Sequence, residues 1–205
     1  MVETNSVPGF LPSAQGLHFA NSYGHGPTVM FGPLDPRWVG IGDAANGLCG
    51  GMSVYVREKY KAGLPVPADT DVPANGSPLF KTIVRLQVQS LDLLRTPLHF
   101  WLAAVLGPER LARRSREVEW PRIRADIDAG GLAMVGLVRE ATRNPFELTK
   151  NHQVAGWAYE IDGETITLRL YEPNWPNRDD VTVTIQDGHL RQSTGETLFG
   201  IIRLR

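Results

Sequence analysis

The spacing of apolar residues predicts helices in the first two thirds of the chain. Residues 1–45 are rich in Gly and Pro and show little periodicity, which is typical of an irregular arm with short extended pieces. From residue 49 onward apolar positions recur at helical spacing, and the predicted stripe consists of Cys49, Met52, Val56 and Tyr60. Gly63 and Pro65 are expected to end this helix.

Proline residues mark three further predicted helix starts. Ser77 followed by Pro78 is a favourable N-cap and first helical residue, and the helix is expected to run through "LFKTIVRLQVQSLDLL". Pro97 and Pro108 indicate two more starts. The segment "EWPRIRADIDAGG" (119–131) predicts a short helix that glycines stop.

After Gly131 the pattern changes from helical to strand-like. The predicted strands are "LAMVGLVRE", "HQVAGWAYE", "ETITLRLYE", "DVTVTIQ" and "TLFGIIRLR". Short polar turns between the later ones favour an antiparallel sheet. The sequence therefore predicts one α+β domain over 1–205, with an irregular arm and helices in 1–130 and an antiparallel sheet in 131–205.

The composition of the chain indicates which partners and cofactors are not expected to bind it. The 205 residues are 42% hydrophobic and 21% charged with a formal net charge of −1, so neither nucleic acid nor an anionic membrane is an expected partner. The single Cys excludes an internal disulfide. No metal or other cofactor is predicted, since metal-ligand spacing is absent among His18, His25, His99 and His189. With no signal peptide or transmembrane run in the sequence, we expect a cytoplasmic location.

The segment "NHQVAGWAYEIDGETITLRLYEPNWP" (151–176) predicts a hairpin that pairs a histidine with a glutamate. A three-residue loop at 161–163 pairs residues whose numbers sum to 324, and this register places His152 opposite Glu172. Opposed residues have Cβ atoms roughly 4.5–5.5 Å apart. The same face is then apolar, formed by Val154, Gly156, Ala158, Ile166, Leu168 and Leu170. A two-residue loop at 162–163 would instead move Glu172 to the other face.

Both chemical candidates have a structural alternative. A His beside a carboxylate is an oriented, basic imidazole, or equally a structural ion pair at a strand end. A free Cys is most often a buried, inert filler, whereas a thiol at a helix N-terminus has a stabilised thiolate. Gly47, Gly50 and Gly51 around Cys49 are expected to leave room for a substrate backbone. The chain order Cys49, His152, then a polar partner is that of a nucleophile, a base and an orienting group.

At these residues the chain resembles the papain-like cysteine peptidase superfamily. The matching segments are "IGDAANGLCGGM" (41–52), "NHQVAGWAYE" (151–160) and "LYEPNWP" (170–176). The resemblance is nearest to the bacteriocin-leader-processing peptidases and to an uncharacterised actinobacterial and fungal group. Helices followed by an antiparallel sheet are also the order of that fold.

The resemblance implies a role for each matching residue. Cys49 takes the place of the nucleophile, His152 that of the general base and acid, and Glu172 that of the residue that orients His152. Asn174 is the alternative orienting residue, since some branches use Asn followed closely by Trp, and Trp175 follows here as a residue of the substrate cleft.

One position departs from the family pattern. Asp43 stands where the family usually has Gln, whose amide helps to form the oxyanion hole. An ionised carboxylate cannot donate a hydrogen bond, and losing one such donor costs on the order of 10²–10³ in rate. Asn46 could supply an amide instead.

Two functions follow as expectations. The first is a cysteine-dependent hydrolase or acyl transferase that acts on an amide or ester bond of a peptide or small acyl substrate through a thioester. The alternative is a catalytically degenerate relative that binds a peptide or protein partner in the same cleft.

Overall fold

The described chain combines helices with an antiparallel sheet, as predicted. The computed structural model of the protein describes residues 1–25, 44–90, 100, 102–103, 105–139 and 151–204. Its helical elements are α1 (Pro12–Gln15), a 3₁₀ turn (Ala44–Asn46), α2 (Cys49–Lys61), α3 (Pro78–Ser90), α4 (Pro108–Arg114) and α5 (Trp120–Asp128). Its strands are β1 (Glu3–Ser6), β2 (Ala133–Val138), β3 (His152–Asp162), β4 (Thr165–Tyr171), β5 (Thr182–Gln186), β6 (His189–Gln192), β7 (Thr197–Leu198) and β8 (Gly200–Arg203).

The starts of α2, α3 and α4 lie where the local signals predicted them, α1 was not predicted, and the predicted continuation of α3 through residues 91–94 lies outside the described residues. Helix α2 begins at Cys49 and ends just before Gly63, whose φ of +65° suits glycine. Helix α3 begins at Pro78, and the Phe80 N–H donates to Ser77 Oγ over 3.3 Å. Helix α4 begins at Pro108, while the predicted start at Pro97 lies outside the described residues.

Helices α4 and α5 are joined by a π-helical segment, Ser115–Glu119, that covers one edge of the sheet. The Ile201 N–H of β8 donates to Ser115 Oγ over 2.9 Å, and the Arg203 N–H donates to Glu119 Oε2 over 3.1 Å. These side chains satisfy donors that the edge strand would otherwise present to a second sheet.

The described strands form one sheet in the order β7-β6-β5-β4-β3-β2-β8, with β1 paired to β3. The N-terminal arm therefore contributes a strand, and the prediction that confined the sheet to 131–205 is wrong in this respect. Two buried apolar side chains, Val7 and Phe10, hold the arm, and the Val7 N–H donates to the Trp157 carbonyl over 2.8 Å. Burial of these side chains stabilises a strand whose own four residues are all exposed.

Helix α2 packs against both α3 and β3, and two glycines allow that close approach. A Cβ at Gly51 would lie 2.2 Å from the Ile83 carbonyl oxygen, and one at Gly50 would lie 2.5 Å from Gln153 Oε1. The space beside both glycines is therefore filled by the protein itself. The prediction that Gly50 and Gly51 leave room for a substrate is wrong, because their missing side chains serve helix packing.

The register of the β3–β4 hairpin differs from the prediction. Asp162 pairs with Thr165, so the loop is the two residues 163–164, with Gly163 at φ +56° where a type II′ turn places glycine. Residues 161 and 162, predicted as loop, belong to β3. A bulge between Gly156 and Ala158 then shifts the pairing sum from 327 to 326 (Ala158 with Arg169, Gly156 with Leu170).

The prediction that His152 lies directly opposite Glu172 is wrong, because a sum of 326 places Glu172 opposite Val154, but the bulge keeps both residues on the same face. An odd sum would have put the two residues on opposite faces, whereas 326, like the predicted 324, keeps them on one face. Val154 and Leu170 share this face, as predicted, but Ala158 does not share the face of Ile166 and Leu168.

Among the residues that the structure describes, no helix has the length and apolar character needed to cross a membrane.

Candidate active site

Cys49 is the first residue of α2 and is half-buried. Its Sγ accepts a hydrogen bond from the Gln153 backbone N–H over 3.4 Å. The Cys49 thiol also lies close enough to the His152 imidazole for each group to shift the pKa of the other. The first turn of a helix presents unpaired N–H groups, which favour negative charge on the sulfur.

His152 is the first residue of β3 and is buried between Cys49 and Glu172. Its Nε2 lies in hydrogen-bonding contact with Glu172 Oε1. With Nε2 bonded to the carboxylate, Nδ1 is the ring nitrogen that remains available to the thiol. The three predicted residues thus form a continuous thiol–imidazole–carboxylate chain.

Glu172 follows β4 and is almost completely buried, at 1% exposure. The Asn174 backbone N–H donates to Oε1 over 3.0 Å, and Gln192 Nε2 donates to Oε2 over 2.8 Å. The guanidinium of Arg139 lies 3.9 Å from Oε2 and also donates to Gln192 Oε1 over 3.3 Å. Each carboxylate oxygen therefore faces donors, which is the condition for a buried carboxylate to stay ionised.

The electrostatics of the three groups favour a thiolate beside an imidazolium. Burial raises the pKa of Cys49, but the charge of His152 and hydrogen bonds from His152 and Gln153 outweigh it, so this pKa lies below its ordinary value. Burial lowers the pKa of His152, but Glu172 and Cys49 raise it to about 10. Burial likewise raises the pKa of Glu172, and its contacts with His152 and the N–H donors bring it below the ordinary range.

The remaining predicted site residues take different places. Asn174 does not orient His152 through its side chain, which accepts a hydrogen bond from Asn21 Nδ2 over 3.1 Å. Its contribution is the backbone N–H that it donates to Glu172. Trp175 is 42% exposed just beyond Glu172, with the Arg178 guanidinium over its ring. Asp43 and the side chain of Asn46 lie outside the described residues.

Sequence reasoning missed the side chains that surround the triad. Gln192 and Arg139 lie on or beside strands far from the motifs, and neither carries a local signal that distinguishes it from an ordinary polar residue. Asn21 lies in the N-terminal arm, where a polar residue among glycines predicts only a turn. These contacts depend on the packing of distant segments.

Comparison with known proteins finds no match: no family model, no curated protein and no solved structure matches the chain. The site therefore has to be interpreted from its own chemistry. Its parts are a thiol at a helix N-terminus, an imidazole in contact with it, and a buried carboxylate that fixes the imidazole. This combination can activate a sulfur nucleophile and can move a proton to and from a reacting group.

Proposed function

We propose that the protein is a papain-like cysteine hydrolase or acyl transferase that acts on an amide or ester bond through a thioester intermediate. The observation that supports this best is the row of three side chains in which the Cys49 thiol lies beside His152 and His152 is bonded to the buried Glu172. A purely structural ion pair at a strand end would not need a thiol at a helix N-terminus on its other side. The motif order along the sequence supports the same proposal.

The proposed reaction divides into two halves. In the first, Cys49 Sγ attacks the carbonyl carbon, and the His152 imidazolium donates its proton to the leaving nitrogen or oxygen as the bond to the carbonyl carbon breaks. In the second, His152 takes a proton from water or an acceptor nucleophile, which attacks the thioester carbon and releases the Cys49 sulfur. Glu172 keeps the imidazole oriented in both halves. The Cys49 backbone N–H at the helix terminus is a candidate oxyanion donor.

Alkylation of the single cysteine tests the nucleophile directly. Intact-mass measurement of iodoacetamide adducts should show fast alkylation near pH 6 with little dependence on pH above it, because the thiolate is already present. His152→Ala should slow alkylation near pH 6 by roughly 10- to 100-fold, because the thiol then titrates near the ordinary value of about 8.5. A wild-type midpoint at about 8.5 would contradict the proposal.

Turnover of an activated ester such as p-nitrophenyl acetate tests catalysis. Wild type should show a burst and steady release of nitrophenol, and Cys49→Ala should show neither. Because Asp43 stands where the resembled family has Gln, Asp43→Gln should restore an oxyanion donor and raise the rate of ester turnover by up to roughly 10²–10³. A reactive Cys49 with no turnover in wild type or Asp43→Gln would favour a partner-binding protein with a degenerate site.

A further inference from the structure

Asn21 connects the residue before the nucleophile to the loop that carries the carboxylate. Its Oδ1 accepts the Leu48 backbone N–H over 2.6 Å, one residue before Cys49. Its Nδ2 donates to Asn174 Oδ1 over 3.1 Å, and its backbone N–H donates to the Pro173 carbonyl over 2.9 Å. A single residue of the N-terminal arm thus contacts the start of α2 and both residues after Glu172.

The local backbone is shaped around this side chain. Gly47 has φ +88°, and a Cβ there would lie 2.5 Å from Asn21 Nδ2. A larger residue would therefore be strained in its backbone and would displace the Asn21 amide. The Leu48 N–H lies just before α2, where backbone donors have no helical partner of their own. Asn21 supplies one such partner and fixes the direction in which the chain enters α2.

The contacts of Asn21 close a ring around the site. From Leu48 the ring runs through Asn21 to Asn174, whose backbone N–H donates to the same Glu172 oxygen that contacts His152. The ring closes where the imidazole of His152 lies beside the thiol of Cys49, the residue that follows Leu48. The path through Asn21 joins the nucleophile to the carboxylate without passing through the imidazole, so it can set their separation independently.

We propose that Asn21 is a positioning residue that holds the thiol of Cys49 beside the imidazole of His152. The inference rests on the proposed function, because it concerns the same thiol–imidazole pair. Asn21 acts through Leu48 and Asn174 and touches neither the sulfur nor the imidazole. Without it, the start of α2 and the Glu172 loop move relative to each other. A displacement of about 1 Å in such a site can cost on the order of 10²-fold in rate.

The experiment compares the pH profile of iodoacetamide alkylation in wild type, Asn21→Ala and Asn5→Ala. Asn5 is the matched control, since its amide also bonds a side chain, Asp128, but lies on the exposed β1. Asn21→Ala should slow alkylation near pH 6 by about 10- to 100-fold and move the midpoint towards that of a free thiol. At pH 10, where every thiol is ionised, the three proteins should react at similar rates. Asn5→Ala should follow wild type throughout.

Two further variants keep the inference testable if Asn21→Ala does not fold. Asn174→Ala removes the bond to Asn21 Nδ2 alone, and Asn21→Asp retains an acceptor for Leu48; each should give a smaller shift in the same direction. A folded Asn21→Ala or Asn174→Ala protein with the wild-type pH profile would overturn the inference. If wild type itself titrates like a free thiol, the proposed function fails instead, so the two failures are distinguishable.

Discussion

At the scale of single residues, the buried carboxylate of Glu172 depends on donors from three parts of the chain. Its Oε1 accepts a hydrogen bond from the Asn174 N–H and is in hydrogen-bonding contact with His152 Nε2. Its Oε2 accepts a hydrogen bond from Gln192 Nε2, and the guanidinium of Arg139 lies 3.9 Å away. Gln192 is itself 3% exposed. A donor to an ionised, buried acceptor is worth more than one at the surface, since its removal leaves charge without a partner.

Gln192→Leu should therefore destabilise the protein although it keeps the approximate shape of the side chain. We expect the free energy of unfolding to fall by about 1–3 kcal/mol, because Glu172 Oε2 loses a hydrogen bond to a charged group. The loss should also raise the pKa of Glu172, since the bond favours the ionised form. Urea denaturation at neutral pH measures the first effect.

Gln186→Leu is the matched control for this change. Gln186 ends β5 and is exposed, so the same substitution there should alter stability by no more than about 0.5 kcal/mol. Equal effects of the two substitutions would show that Gln192 does not support the carboxylate.

At the scale of elements, the glycine pair of α2 determines how closely this helix, which begins at Cys49, approaches its neighbours. Gly51→Ala places a methyl group 2.2 Å from the Ile83 carbonyl oxygen and 2.9 Å from the Gln87 nitrogen, both backbone atoms of α3. Because the clashing atoms belong to the backbone of α3, no side-chain rotation can relieve the clash, and α2 has to shift relative to α3. We expect a loss of about 1–3 kcal/mol in the free energy of unfolding, measured by thermal or urea denaturation.

The displacement of α2 should also change the reactivity of Cys49, which a loss of stability alone would not do. Gly24→Ala is the control, because a Cβ at Gly24 meets nothing within 4 Å. It should leave both stability and alkylation unchanged. A Gly51→Ala protein as stable as wild type would contradict the packing role of this glycine.

The boundaries of the helices could be predicted because their signals are local. Pro78 and Pro108 start helices, and residues such as Gly63 with positive φ end them, whatever the rest of the chain does. The register of the hairpin could not be predicted, because the sequence around Gly163 is compatible with more than one loop, and because the bulge between Gly156 and Ala158 changes the pairing away from the turn. His152 and Glu172 still share a face because the different loop and the bulge together change the pairing sum from 324 to 326, which is an even step.

At the scale of the whole molecule, the site brings together segments far apart in the chain. Cys49, His152 and Glu172 were predictable because each lies in a short motif with a recognisable residue type. Asn21 and Gln192 were not, because their roles arise only when the N-terminal arm and β6 fold onto the same centre. The three candidate residues can thus be recognised from short motifs, whereas the residues that hold them in place can be recognised only from the folded structure.

The charges of the triad should also make the stability of the whole fold depend on pH. The pKa of Glu172 in the folded protein is below its ordinary 4.5, so its stabilisation is complete above that pH and is lost as pH falls. The pKa of His152 is raised from 6.5 to about 10, so its stabilisation is complete below 6.5 and is lost as pH rises through about 10. The pair therefore stabilises the fold most between about pH 4.5 and 6.5.

Glu172→Gln should reveal this window when its free energy of unfolding is compared with that of wild type by urea denaturation from pH 3 to pH 10. The difference should be largest near pH 5–6, at about 3–5 kcal/mol, because the variant leaves a buried imidazole without its counter-charge. It should shrink towards both ends of the range. Glu164→Gln is the control: this exposed carboxylate pairs with Arg116 at the surface and should contribute no more than about 1 kcal/mol at any pH. A wild-type–Glu172→Gln difference that stays constant across the range would show that His152 and Glu172 are not a charged pair in the folded protein.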